Sequence, residues 1–143
     1  MNENSINLLK ECNSGCKNAT DSMEQIIPYI KDNCLKKLVE DYDKKHIELG
    51  DECHNMLNAA GEDEKDPSKV TKAMAWFGTE IKLAVDDSNS RIAEMLVDGC
   101  NMGIKSLSKY YNKYKQAETK VRDMVFELIN IEQDFMNELL AFL

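Results

Sequence analysis

The sequence has little that breaks a helix: two prolines and six glycines in 143 residues. Turn-rich β folds depend on those punctuators, so their scarcity argues against a sandwich or a barrel and for long helices. Histidine is scarce as well, with two in the chain, and neither belongs to an H-E-x-x-H. Also missing are a Gly-rich phosphate loop and a Ser-His-Asp set. No apolar run approaches the roughly 20 residues that span a bilayer. The first ten residues lack a basic start followed by an apolar stretch. The expectation is therefore a cytoplasmic chain with no membrane partner. Cys12, Cys16, Cys34, Cys53 and Cys100 are odd in number and form no C-x-x-C pair. That excludes a zinc ribbon and disfavours a disulfide framework, leaving reduced and mostly buried thiols. Excess positive charge is absent too. The formal net charge of -8 repels nucleic-acid phosphates and anionic lipid headgroups. The one lysine cluster, Lys105, Lys109, Lys113 and Lys115 among Tyr110, Tyr111 and Tyr114, reads as the C-terminal end of a helix, where cations suit the dipole. No nucleic-acid partner is expected.

What is present is helical periodicity. Residues 1–143 form one domain-sized unit that can bury a core without disulfides or metal. Five helical segments are expected. The first runs from about Ser5 toward Ile30 and is stopped or kinked by Pro28. The second runs from about Asn33 to Ala60, with Asp32 or Asn33 as N-cap and Gly61 beyond its end. A third, from Asp66-Pro67 to about Val85, carries Trp76 and Phe77. The fourth runs from about Asn89 to Tyr114 and the fifth from about Ala117 to Leu143. Apolar residues recur in steps of three and four along all the long segments. In the fourth, Gly99 and Gly103 lie one turn apart. Each costs about 1 kcal/mol against alanine in a helix interior, so the close approach of another helix backbone is expected there.

A long connection holding its own short helix separates the second and fourth segments. Such a crossover lets the second and third long helices run parallel, the plan of ferritin-like bundles. Trp76, Lys82, the stretch Ser90-Arg91-Ile92-Ala93-Glu94-Met95-Leu96, Gly99, Met102-Gly103-Ile104, Ile131-Glu132 and the closing Phe142-Leu143 carry a resemblance. They are similar to short bacterial ferritin-like proteins. The resemblance implies an all-α, ferritin-like four-helix bundle with a long helical crossover between the second and third bundle helices. It implies no particular activity.

A di-iron bundle needs one inward Glu on each of two helices and a Glu-x-x-His on each of the other two. Here the nearest match is Asp43-x-x-His46 on the second helix. The last helix has Glu132 followed three residues on by Phe135, and the lone-Glu positions of the first and fourth segments hold Cys16, Lys17, Cys100 and Asn101. That pattern speaks against ferroxidase or peroxidase chemistry. Glu132 is the most informative residue. Its neighbours at helical spacing, Val125, Leu128, Ile129, Phe135, Met136 and Leu139, are all apolar. A carboxylate among them must be hydrogen-bonded, paired or metal-bound. A hydrogen bond across the bundle to His46 or to a Tyr, Asn or Thr is the first reading. Metal ligation by Asp43, His46 and Glu132, with iron, manganese or zinc, is the second. Cys12, Cys16, Cys53 and Cys100 with His46 also suggest a soft-ligand site, weighed against ordinary buried thiols.

The expectation for function follows from these. A non-catalytic structural or interaction module without a cofactor comes first, forming a homo-oligomer through the Trp76–Phe77 helix. A degenerate metal-binding bundle is the alternative. A small-molecule binder with an apolar cavity near Gly99 and Gly103 is the third.

Overall fold

The structure, a computed structural model, describes residues 1–64 and 88–143. The described residues form four long helices and two short 3-10 turns. The expected helix over 66–85, with Trp76, Phe77 and Lys82, lies outside the described residues.

Helix α1 spans Glu3–Ile26 and begins where the Asn2 side chain accepts the Ser5 backbone N–H at 2.8 Å. Pro28 ends it as expected, and the chain tightens into a 3-10 turn at Ile27–Tyr29 because proline supplies no N–H to continue the helix. Helix α2 spans Asn33–Ala59. Asp32 caps it, accepting from Cys34 N–H at 2.8 Å and Leu35 N–H at 3.0 Å, which satisfies two of the orphan donors of the first turn. Gly61 follows with φ of 70°, the left-handed conformation that glycine adopts without strain. Helix α3 spans Asn89–Lys113 and α4 spans Thr119–Leu139. The fifth expected segment is shorter than its apolar pattern. Ala117 lies buried before the helix starts, and the last turn is the 3-10 piece Leu140–Phe142.

Contacts between helices fix their directions. Lys10 and Lys17 on α1 reach Glu62 and Glu64 beyond the end of α2, so α1 and α2 are antiparallel. Ser5 Oγ near the start of α1 accepts the Glu118 N–H at 2.7 Å at the start of α4, so these two run parallel. Asn89 Oδ1 at the start of α3 accepts the Lys31 N–H at 3.1 Å, just ahead of α2. Helices α2 and α3 therefore start at the same end of the bundle and run parallel. Helices α1 and α4 each pack on all three others, which places them across the short diagonal.

The apolar core falls into two clusters. One gathers Met23, Leu35, Val39, Tyr42, Leu96, Phe135 and Leu139. The other gathers Leu8, Leu9, Leu49, Leu57, Leu107, Val125 and Leu128. Between them is a waist. On α2 it falls between Tyr42 and Leu49, and on α4 between Leu128 and Phe135. The residues there are His46 and Glu132, both buried. On α1 and α3 the waist holds small residues, Gly15 and Ala19 opposite Gly99 and Gly103. Burial of the two clusters drives the association of the helices, and the waist is where the same periodicity admits polar and small side chains.

Candidate functional site

Helix α2 carries His46 on the stripe of Val39, Tyr42, Leu49 and Cys53, and α4 carries Glu132 on the stripe of Val125, Leu128, Phe135 and Leu139. Each polar residue is one turn from apolar residues that anchor its helix, so both are driven inward by their neighbours. They meet. His46 Nε2 is hydrogen-bonded to Glu132 Oε1, and His46 Nδ1 lies 2.6 Å from the Tyr42 carbonyl oxygen. A carbonyl only accepts, so Nδ1 carries a proton and donates it. The Nε2–Oε1 bond then holds one shared proton, as imidazolium against carboxylate or as imidazole against carboxylic acid. Burial opposes charge on His46, but the Glu132 bond and charge, the Tyr42 carbonyl and Asp43 outweigh it and raise the imidazole above its ordinary 6.5.

Cys100 on α3 completes the surroundings of Glu132. Burial first, then the Glu132 charge and a hydrogen bond to Glu132, push this thiol far above its ordinary range. Cys100 is therefore a donor to the carboxylate and not a thiolate nucleophile. The other expected thiol ligands are elsewhere. Cys12 is hydrogen-bonded to Cys16 and Cys53 in the second core cluster, and those bonds, with burial, hold it protonated. The soft-ligand set expected from the sequence is thus split. Cys12, Cys16 and Cys53 form one group, while Cys100 joins Glu132 at the waist. The thiol group has a packing origin. A Cβ on residue 50 would stand 3.1 Å from the Cys16 Cβ, so Gly50 lets α1 and α2 approach closely at this level.

Asp43 lies one turn before His46 and is also buried, 8% exposed. It is hydrogen-bonded to Thr20 of α1, while its Oδ1 has no hydrogen-bond partner among the described residues. Burial and the neighbouring Glu24 and Asp21 of α1 raise its carboxyl to about 6, against the lowering effects of His46 and Thr20. Asp43 thus acts on His46 through its field, whereas His46 and Glu132 bond to each other directly.

That arrangement bears on a metal. Among the described residues no group of three or more His, Cys, Asp and Glu side chains is arranged to hold a metal ion. The iron–carboxylate site of ferritin-like bundles takes inward carboxylates from all four helices. The waist here offers Gly15 and Ala19 on α1 and Gly99 and Gly103 on α3, and the donors on α2 and α4 point at one another. The residues present do not fit a di-iron centre.

What the small residues create is space. A pocket of about 380 Å³ opens between α1 and α3, with α4 behind it and His46 and Glu132 on its wall. Gly99 and Gly103 both line it. Among the described residues a Cβ at Gly99 would meet nothing within 4 Å, and one at Gly103 would meet Glu132 Oε2 at 3.3 Å. Among the described residues no other helix backbone approaches these two glycines. Gly99 lines the pocket, and Gly103 leaves room for a carboxylate. Gly15, Asn18 and Ser106 also line the pocket, and reading the sequence did not single them out. The signal available was the run of small residues Ser14, Gly15, Asn18, Ala19 and Ser22 on one face of α1.

Comparison of the chain with protein-family models, with curated proteins and with solved structures finds no match. The chemistry of the waist is thus the ground for a functional reading. Among the described residues no helix is long and apolar enough to cross a membrane.

Proposed function

We propose that this chain is a non-catalytic, ferritin-like four-helix bundle that binds a small molecule in the pocket at its waist. One observation carries the reading. A buried, hydrogen-bonded acid–base pair forms part of the wall of a mostly apolar pocket that glycines keep open. Small-molecule sites combine an apolar lining with a few fixed polar groups, at volumes of about 300–1,000 Å³, and 380 Å³ falls in that range. A bundle selected only as a scaffold gains from filling such a space, because buried voids and helical glycines each reduce stability. Among the described residues at the waist, the thiol and the histidine are both in states that point away from catalysis. The thiol at the site is held protonated, and the histidine has both ring nitrogens engaged. The ferritin-like plan rests on the parallel course of α2 and α3 and on the two antiparallel hairpins.

Gly99→Leu tests the pocket. The new side chain enters a space that no described residue fills, so the variant should fold and melt at a higher temperature than the parent. A panel of small apolar molecules should raise the melting temperature of the parent, as any ligand of the native state does, and should leave Gly99→Leu unmoved. Equal responses from the two proteins, or no response from the parent, would sink the reading.

A further inference from the structure

The charge and hydrogen-bonding character of the lining narrows the ligand class. This inference rests on the pocket reading above. The described lining contains two carboxylates, Glu11 and Glu132, and neither lysine nor arginine. His46, the basic group among the described lining residues, is already committed to Glu132 and to the Tyr42 carbonyl. Asp43, one turn away on α2, adds a further negative charge at neutral pH. Glu132 is offset by His46, and Asp43 leaves the described surroundings of the pocket with a negative sum, inside a chain of net charge -8. An anionic ligand meets that charge with no lysine or arginine among the described lining residues to compensate it.

The polar atoms point the same way. Asn18 Oδ1 is buried and has no hydrogen-bond partner among the described residues, and Asn18 lines the pocket. A buried acceptor left unmatched costs about 1–3 kcal/mol. A ligand donor can relieve that cost. Glu132 Oε2 faces the missing side chain of Gly103, so a second acceptor is reached only because residue 103 has no Cβ. These two acceptors, beside hydroxyls of Ser14, Ser22 and Ser106 that can accept as well as donate and the apolar side chains of Leu96, Leu128 and Phe135, suit a body of hydrocarbon ending in several N–H donors.

We infer that the waist pocket takes an organic amine, its ammonium group set against Glu132 and Asn18 and its apolar body lying among Leu96, Leu128 and Phe135. An ammonium brings three donors and no acceptor, and it makes charge-assisted bonds of the stronger kind. An alcohol of the same length fills the same space with a single donor. A carboxylate of the same length brings only acceptors.

The test uses hexylamine, hexanol and hexanoate on the full chain, with affinities from titration calorimetry and from chemical-shift changes of waist amides. Hexylamine should bind at least tenfold more tightly than hexanol, and hexanoate more weakly than either. Glu132→Gln should lower hexylamine affinity about tenfold and leave hexanol unchanged. The unchanged hexanol also shows that the pocket of this variant is intact. Equal affinities for hexylamine and hexanol, or a preference for hexanoate, would overturn the amine assignment while leaving the pocket reading standing. If all three bind the parent no better than they bind Gly99→Leu, the pocket reading falls and the amine assignment with it.

Discussion

Glu132 is held where a carboxylate is tolerated only because of its partners. Its neighbours along α4 are apolar, and it is 7% exposed. Removing one member of a buried pair costs about 3–5 kcal/mol, because the other is left desolvated and unmatched. Glu132→Leu therefore should lower the unfolding free energy by about that amount, with His46 Nε2 facing hydrocarbon. Glu132→Gln is a different perturbation. Neutral His46 can keep Nδ1–H on the Tyr42 carbonyl and accept an amide N–H at Nε2, so every buried atom stays paired. A loss of about 1 kcal/mol is expected for that exchange. Urea unfolding of the two variants decides the matter. If Leu and Gln cost the same, the bond to His46 contributes nothing specific, and burial alone explains the pair. The inward placement of both residues was legible in the sequence, since each interrupts an apolar stripe at helical spacing. Their meeting was not. Periodicity fixes which face of a helix is inward only to within a residue or two, and it says nothing about the level at which two helices, 86 residues apart in the chain at these positions, are aligned.

At the scale of the helix, glycine carries two opposite messages that sequence reading cannot separate. Gly50 and Gly99 both sit inside helices and look equivalent in composition. In the fold, Gly50 lies against Cys16 of α1, and no described residue stands within 4 Å of a Cβ at Gly99. Substitution by alanine should reveal the difference. Gly99→Ala gains helix propensity without a clash with any described residue and should be more stable by about 1 kcal/mol. Gly50→Ala gains the same propensity but pushes a Cβ to 3.1 Å from the Cys16 Cβ. Overpacking of that kind typically costs about 1–3 kcal/mol, so the net change should be near zero or a loss. Thermal or chemical melts give both signs, and a stabilised Gly50→Ala would show that α1 and α2 have slack at this level. Helix boundaries were easier to read. Pro28, Asp32 and Gly61 punctuate the chain where the backbone turns, because each acts through its own φ preference or side-chain acceptor. The start of α1 was missed by two residues. Asn2 supplies the cap, and Ser5, taken as the opening residue, is buried and holds the start of α4 instead.

At the scale of the whole molecule, the buried ionisable groups set how stability varies with pH. Asp43 has its carboxyl raised from 3.8 to about 6 in the fold, by burial first and then by Glu24, against the lowering effect of His46. The native state then binds a proton more tightly than the unfolded chain does, so stability falls as pH rises from about 4 to about 6. His46 is raised above 6.5 by Glu132 despite its burial. Its contribution is fully present below 6.5 and is lost as pH climbs through the folded value, which is the same direction. Glu64 works the other way. Its hydrogen bond to Lys17 lowers it to about 2, with His54 and Asn13 assisting against burial, so its contribution is present above 4.5 and lost as pH falls toward about 2. The mutual repulsion behind the net charge of -8 also relaxes as carboxylates protonate. These terms place the stability maximum near pH 4, on the acid side of neutrality, with a decline toward pH 8. For Asp43 the interval from 3.8 to about 6 corresponds to about 3 kcal/mol as an upper bound. Asp43→Asn keeps a group that can bond Thr20 and removes the buried charge. It should therefore stabilise the bundle by about 1–3 kcal/mol at pH 7.5 and have little effect at pH 4, flattening the decline between those values. Melting temperatures across that range measure the slope directly. A variant that is less stable than the parent at pH 7.5 would mean that the ionised Asp43 is matched in the fold, with its charge contributing more to holding His46 protonated than its burial costs.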